Sequence, residues 1–136
     1  MRIDKKTHNK YSNKISQPNH LLRFGRFGIK TTNFGRITRN QINSIERDLI
    51  CKLRVLTNSK NTKFWNCIIL NLNLTKLSLE SRMGKGKGNI YTKAIFLKPG
   101  TVIFEFDKIS FQHIQEVFEF IKKKMPAKIT LLSRQL

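Results

Sequence analysis

Apolar residues along this chain recur with helical spacing in two stretches and with extended, strand-like spacing elsewhere. The two helical stretches predict amphipathic helices over about residues 39–57 and 111–124. Thr38 and Gln41 form a capping box before the first helix, and Ser110 is the expected N-cap of the second. The predicted apolar faces are Ile42, Ile45, Leu49, Leu53 and Leu56 in the first helix and Phe111, Ile114, Val117, Phe118 and Ile121 in the second.

Runs of β-branched and aromatic residues predict strands over residues 63–72, 74–79, 91–98, 101–107 and 128–133. Pro99-Gly100 is a tight-turn signal, so the third and fourth runs are expected to pair as a β-hairpin. Phe24, Phe27 and Ile29 can anchor another strand. Core packing is the favoured use of the two phenylalanines, with stacking on nucleic-acid bases as the alternative. These elements predict an α+β fold, a largely antiparallel sheet sandwich with two helices packed on it.

Length and the polarity of the first residues suggest how the chain is organised. The 136 residues are enough for one domain, which we expect over residues 21–136. Residues 1–20 are polar and basic without apolar periodicity, so they predict a basic extended arm that becomes ordered on binding RNA. Because the segment is basic and poor in acids, a mitochondrial transit peptide is the alternative interpretation.

The charge of the chain narrows the class of partner. There are 27 Lys and Arg against 8 Asp and Glu, which gives a formal net charge of +19. Such an excess favours a nucleic-acid partner over a membrane surface or a merely solvated face. No stretch approaches the roughly 20 apolar residues of a membrane span. The excess is concentrated in residues 1–40 and 81–100.

Residues 81–89, SRMGKGKGN, alternate three glycines with two lysines directly after an arginine and a methionine. Glycine allows close approach of the backbone to another surface, and lysine neutralises phosphates without reading sequence. A flexible linker is the alternative. The spacing matches neither the phosphate-binding loop of nucleotide hydrolases nor the dinucleotide fingerprint, so a nucleotide site is not expected.

The sequence shows no pattern typical of a metal site or a catalytic site. Cys51 and Cys67 lack zinc-site spacing and are expected to be buried free thiols, and the three histidines are scattered. No carboxylate is paired with a histidine in a catalytic motif, so we expect no enzyme, no metal and no cofactor. RNA is favoured over DNA because helix-turn-helix, zinc-finger and basic-zipper patterns are missing.

Several segments together resemble the family of large-subunit ribosomal protein sixteen, of the bacterial and organellar type. RMGKGKGN at residues 82–89 is similar to the signature loop of that family, and FGRFGIK at residues 24–30 resembles its FGxFGLK segment. GRIT at residues 35–38, followed by QI at residues 41–42, resembles the GRLTxxQI helix start of the family. PG at residues 99–100, with Ile103 and Glu105, resembles its PGxxLxE segment. PAK at residues 126–128 resembles a PxK near the end, so the match runs in order from about residue 22 to 134.

This resemblance implies a structural constituent of the large ribosomal subunit that binds large-subunit rRNA and helps to position A-site tRNA during translation. Neighbouring large-subunit proteins would be further partners. A non-ribosomal RNA-binding or RNA-chaperone protein is the alternative. On this resemblance the tRNA-facing loop consists of Arg82, Met83, Gly84, Lys85, Gly86, Lys87 and Gly88. The candidate rRNA-binding residues are Arg23, Arg26, Lys30, Arg36 and Arg39.

The departures from the family pattern bear on the cellular location. Thr92 and Lys93 stand where the family usually has Tyr-Trp, and Ser78 replaces a family proline. The chain is also rich in Asn, Ile and Lys and holds only two alanines, a bias that AT-rich codons produce. These features favour a diverged mitochondrial ribosome in the mitochondrial matrix, with a plastid or the bacterial cytoplasm as the alternative.

Overall fold

The computed structural model describes residues 4–7, 21–58 and 61–134. Within these ranges the chain forms two helices and seven strands, which confirms the predicted α+β class. The division into an arm and a domain stays a prediction, since most of residues 1–20 lie outside the described part. The elements are β1 (Phe27–Thr31), β2 (Gly35–Thr38), α1 (Arg39–Thr57), β3 (Lys63–Asn66), β4 (Leu72–Lys76), β5 (Asn89–Leu97), β6 (Val102–Asp107), α2 (Phe111–Lys122) and β7 (Ile129–Ser133).

The strands form two antiparallel sheets. A four-stranded sheet has the order β3-β6-β1-β7, and a three-stranded sheet has the order β2-β5-β4. The chain passes between the two sheets four times, from β1 to β2, from β2 through α1 to β3, from β3 to β4, and from β5 to β6. Elements that are neighbours in sequence are therefore often not neighbours in a sheet.

The β-hairpin predicted over residues 91–98 and 101–107 is wrong. The Pro99-Gly100 turn does form. Gly100 has φ +89°, and the Thr101 N–H donates to the Lys98 carbonyl at 3.2 Å. Its two flanking strands, however, lie in different sheets. Thr31, at the end of β1, holds the turn in place, since its carbonyl accepts from Gly100 N–H at 2.7 Å and its hydroxyl donates to the Lys98 carbonyl at 2.7 Å. The turn thus carries the chain from one sheet to the other.

The single strand predicted over residues 63–72 is also divided. Pairing with β6 ends at Asn66, whose side-chain oxygen accepts from Ile68 N–H at 2.9 Å. The chain then runs irregularly to Leu72, where β4 begins in the other sheet. The sequence pattern does not indicate the short strand β2, because its four residues lead directly into the capping box of α1.

Both helices have the predicted caps and α1 has the predicted bounds, but α2 ends at Lys122, before the predicted residue 124, and Phe111 of its predicted apolar face is 55% exposed. Thr38 N–H donates to Gln41 Oε1 at 3.0 Å at the start of α1, and His113 N–H donates to Ser110 Oγ at 3.4 Å at the start of α2. Asn58 ends α1 in the left-handed region, with φ +46°. The predicted strand over residues 128–133 is confirmed as β7.

One apolar core joins the helices to both sheets, and its fully buried members include Phe104, Phe106 and Leu49. Phe27 lies in this core as expected, whereas Phe24 is 56% exposed, so the core use predicted for Phe24 is wrong. Cys51, expected to be buried, is exposed, and Cys67 is half-buried.

Candidate nucleic-acid interface

The glycine-lysine loop, residues 81–88, lies between β4 and β5 at one end of the three-stranded sheet. Every residue from Leu77 to Lys87 is exposed, and Met83 is 92% exposed. Arg82 and Lys85 therefore present their charges to solvent on one connection. This exposure is compatible with a contact surface, and it does not by itself exclude the alternative of a flexible linker.

The glycines of this loop are required by its backbone. Gly84 and Gly86 have φ +99° and +95°, a region that L side chains rarely adopt. Gly88 is required for a different reason, since a Cβ there would lie 2.3 Å from the carbonyl oxygen of Lys76 at the end of β4. Two glycines thus set the shape of the loop and the third closes its base.

Residues 4–7 lie against the base of this loop, a contact that the sequence pattern did not indicate. Thr7 Oγ1 accepts from Asn73 N–H at 2.9 Å, which attaches the segment to β4. Lys87 Nζ donates to the Thr7 carbonyl at 2.7 Å, and Lys6 Nζ donates to the Lys87 carbonyl at 3.0 Å. Lys87 is therefore partly engaged within the protein. No other residue of the described ranges hydrogen-bonds or pairs with the Lys85 side chain.

The predicted rRNA-binding residues divide between the two sheets. Residues 21–26, which we call the basic segment, precede β1 and carry Arg23 and Arg26. Lys30 lies in β1 itself. Arg36 lies in β2 of the three-stranded sheet, and Arg39 is the first residue of α1. The four arginines are exposed and Lys30 is half-buried. They do not belong to one continuous element.

Glu105 fixes the basic segment to the four-stranded sheet. Its side chain is buried, at 2% exposure, in the middle of β6. Its carboxylate accepts backbone N–H groups of three consecutive residues, Arg23 at 3.2 Å, Phe24 at 2.6 Å and Gly25 at 2.9 Å. A single internal anion therefore holds the backbone that carries Arg23 and Arg26.

The surroundings of Glu105 stabilise its charged form. Burial by itself would raise the pKa of Glu105, but the N–H groups of Phe24, Gly25 and Arg23 and the Cys67 thiol outweigh burial and lower it. Cys67 Sγ lies 3.6 Å from Glu105 Oε1. Burial, followed by the charge of Glu105, raises the pKa of Cys67 to about 11. The thiol is thus protonated and donates to an ionised carboxylate at neutral pH.

Register explains why the basic segment lies at this place. Glu105 pairs with Trp65 on one side and with Gly28 on the other, so all three share one face of the sheet. A Cβ on Gly28 would lie 2.3 Å from Leu22 Cδ2, so glycine leaves the space that Leu22 fills. Sequence reasoning missed Glu105 as a positioning residue. The available signal was a lone carboxylate inside the otherwise apolar run VIFEF.

Within residues 4–7, 21–58 and 61–134, no group of three or more His, Cys, Asp or Glu side chains could hold a metal ion. No helix in those ranges is both long enough and apolar enough to cross a bilayer.

Comparison with known proteins gives the family. The profile of the family described as Ribosomal protein L16p/L10e matches residues 2–132. The chain is 46% identical over 130 residues to the "Large ribosomal subunit protein uL16m" of Chondrus crispus, covering 95% of this chain and 94% of that protein. It is 30% identical over 118 residues to the "Large ribosomal subunit protein uL16" of Wigglesworthia glossinidia brevipalpis, covering 87% and 83%.

These matches confirm the resemblance found in the motifs, and the similarity to the mitochondrial-type protein confirms the mitochondrial ribosome as the location. The chain belongs to the L16p/L10e family of ribosomal proteins, and within that family to the mitochondrial type.

Proposed function

We propose that this protein, a structural constituent of the large subunit of the mitochondrial ribosome, binds large-subunit rRNA and helps to position A-site tRNA. The observation that carries the proposal is the glycine-lysine loop, whose basic residues are exposed and whose shape is set by its glycines. Such a loop can contact a phosphate backbone without refolding first, which lowers the entropic cost of binding.

The rRNA contact is assigned to Arg23, Arg26, Lys30, Arg36 and Arg39. Support comes from the exposure of the four arginines and from the internal attachment of the basic segment to Glu105. Guanidinium groups on a fixed backbone suit the phosphate geometry of a structured RNA. Neighbouring large-subunit proteins are the other proposed partners.

The tRNA contact is assigned to the loop residues Arg82, Met83, Gly84, Lys85, Gly86, Lys87 and Gly88. The support is that Lys85 and Arg82 are exposed at a projecting connection. We infer that the protein performs no catalysis, in keeping with a family of structural ribosomal proteins.

Sedimentation tests the ribosomal assignment against a free RNA-binding or RNA-chaperone protein. The protein is expected to cofractionate with large subunits from mitochondrial lysate and to stay bound after a high-salt wash. A pool found wholly outside the ribosomal fractions would overturn the proposal and favour the alternative.

Lys85→Ala combined with Lys87→Ala tests the loop. The double variant should lose A-site tRNA affinity in purified ribosomes while still entering the large subunit. Because Lys87 also contacts Thr7, Lys85→Ala alone separates loss of charge from loss of that contact. Lys122→Ala with Lys123→Ala, two exposed lysines at the end of α2, is the matched control. Unchanged tRNA binding in both loop variants would refute the loop assignment.

A further inference from the structure

Phe24 and Trp65 form an aromatic pair that faces outward. Their ring centroids are 5.8 Å apart and the planes are inclined by 24°, which is a stacked arrangement. Phe24 is 56% exposed, and Trp65 is half-buried on the face of the four-stranded sheet that also carries Glu105. The pair therefore places aromatic surface on the outside of this sheet.

The pair is held rigidly. The Phe24 N–H donates to Glu105 Oε2 at 2.6 Å, and the neighbouring Arg23 and Gly25 donate to the same carboxylate. Gly25 lies so close to β6 that a Cβ there would be 2.4 Å from the Phe106 carbonyl oxygen. Leu22 is buried against Gly28. The backbone under Phe24 is therefore fixed before any partner arrives.

Positively charged residues flank Phe24 along the chain, and the guanidinium group of Arg26 lies over the neighbouring Phe27 ring, 5.6 Å from its centroid. Arg23 and Arg26 are exposed, and no acidic side chain other than the buried Glu105 occurs between residues 21 and 45 or in β6 before Asp107. A flat aromatic face next to guanidinium groups suits a nucleobase and its adjoining phosphates. An apolar protein partner would not require these charges.

We propose that Phe24 and Trp65 form a stacking platform for an unpaired base of the large-subunit rRNA, with Arg23 and Arg26 meeting the phosphates beside that base. This inference rests on the proposed rRNA-binding function and names the kind of nucleotide that the basic segment receives. Phe24 offers its free face to the base, and Trp65 supports the opposite face.

The fluorescence of Trp65 tests the platform directly, because it is the only tryptophan in the chain. The full-length protein is titrated with a short oligoadenylate and with an abasic strand of the same length and charge. The oligoadenylate should change Trp65 emission and bind about tenfold or more tightly than the abasic strand, which is the magnitude of one stacked base. Equal affinity and equal emission change for both strands would overturn the proposal.

Phe24→Leu removes the aromatic face and keeps an apolar side chain. It should weaken oligoadenylate binding about tenfold and leave abasic-strand binding unchanged. Phe111→Leu is the matched control, because Phe111 is 55% exposed and also contacts one other aromatic ring, that of Phe27. Wild-type affinity in Phe24→Leu would overturn the platform and leave RNA binding intact. If the wild-type protein bound large-subunit rRNA but neither strand, the platform would be overturned and the RNA-binding function would stand; failure to bind the rRNA as well would overturn both.

Discussion

Glu105 connects the basic segment to the four-stranded sheet through its side chain alone. A buried carboxylate is normally costly, and here three backbone N–H groups and a thiol compensate for that cost. The bonded residues are about 80 positions apart in the sequence, so these contacts attach the basic segment directly to β6. The strongly cationic segment is thus anchored by one of the few acidic residues in the chain.

Glu105→Gln is expected to lower the free energy of unfolding by about 2–3 kcal/mol. The amide can accept through one oxygen only, and its NH₂ group would face N–H donors that the carboxylate now satisfies. Urea denaturation measures the change. Glu116→Gln, an exposed glutamate on α2, should leave the midpoint unchanged. Equal midpoints for the two variants would contradict the role assigned to Glu105.

The same carboxylate predicts a pH dependence of stability. Its pKa in the folded protein is lowered from the ordinary value of 4.5, so its contribution is fully present above that value. The contribution is lost as the pH falls from there through the lower pKa of the folded state. The stability difference between wild type and Glu105→Gln should therefore be largest near neutral pH and shrink in acid. A difference that stays constant down to low pH would show that the charge is not responsible.

At the scale of elements, helices were easier to predict than strand partners. The bounds of α1 follow from the Thr38–Gln41 capping box and an apolar stripe, which are local features. The Pro99-Gly100 turn is also a local feature of the sequence, but it does not determine which strands pair with the strands on either side of it. Partner choice depends on contacts distant in sequence, such as those between Thr31 and the turn.

In the candidate interface, too, local features could be predicted from the sequence, whereas contacts between distant residues could not. The glycine-lysine loop was predictable because its composition alone excludes a regular element. The attachment of the basic segment was not, because it needs Glu105 and Gly28 in register on one face. The contact between residues 4–7 and Lys87 likewise connects positions about 80 residues apart.

The base of the loop offers a comparison between two glycines. Gly88→Ala would place a methyl group against the Lys76 carbonyl, within backbone that cannot yield easily, whereas Gly84 has open space around it. Gly84→Ala is expected to cost about 1 kcal/mol through its positive φ. Gly88→Ala should cost more and should also speed hydrogen exchange in β4 and β5. Urea denaturation and amide exchange measure both effects, and equal exchange rates in the two variants would contradict the predicted clash.

For the molecule as a whole, the two basic surfaces belong to different sheets. The glycine-lysine loop extends from the three-stranded sheet, and the basic segment lies across the four-stranded sheet. One core joins both sheets. The fold can therefore hold the two proposed RNA-binding surfaces in a fixed relation, as the proposed contacts with rRNA and tRNA would require.

The proposed assignment of the basic segment to rRNA predicts that its arginines contribute more to rRNA binding than equal charge placed elsewhere on the molecule. Arg23→Gln with Arg26→Gln should weaken binding to large-subunit rRNA and reduce its salt dependence by roughly one to two released counterions, since phosphate neutralisation sets that slope. Lys122→Gln with Lys123→Gln removes the same charge from α2, where Lys122 already pairs with Glu119. Titrations of rRNA over a series of salt concentrations compare the two variants. If both lose the same affinity, net charge alone drives binding; if only the arginine variant does, the basic segment is the rRNA-binding surface.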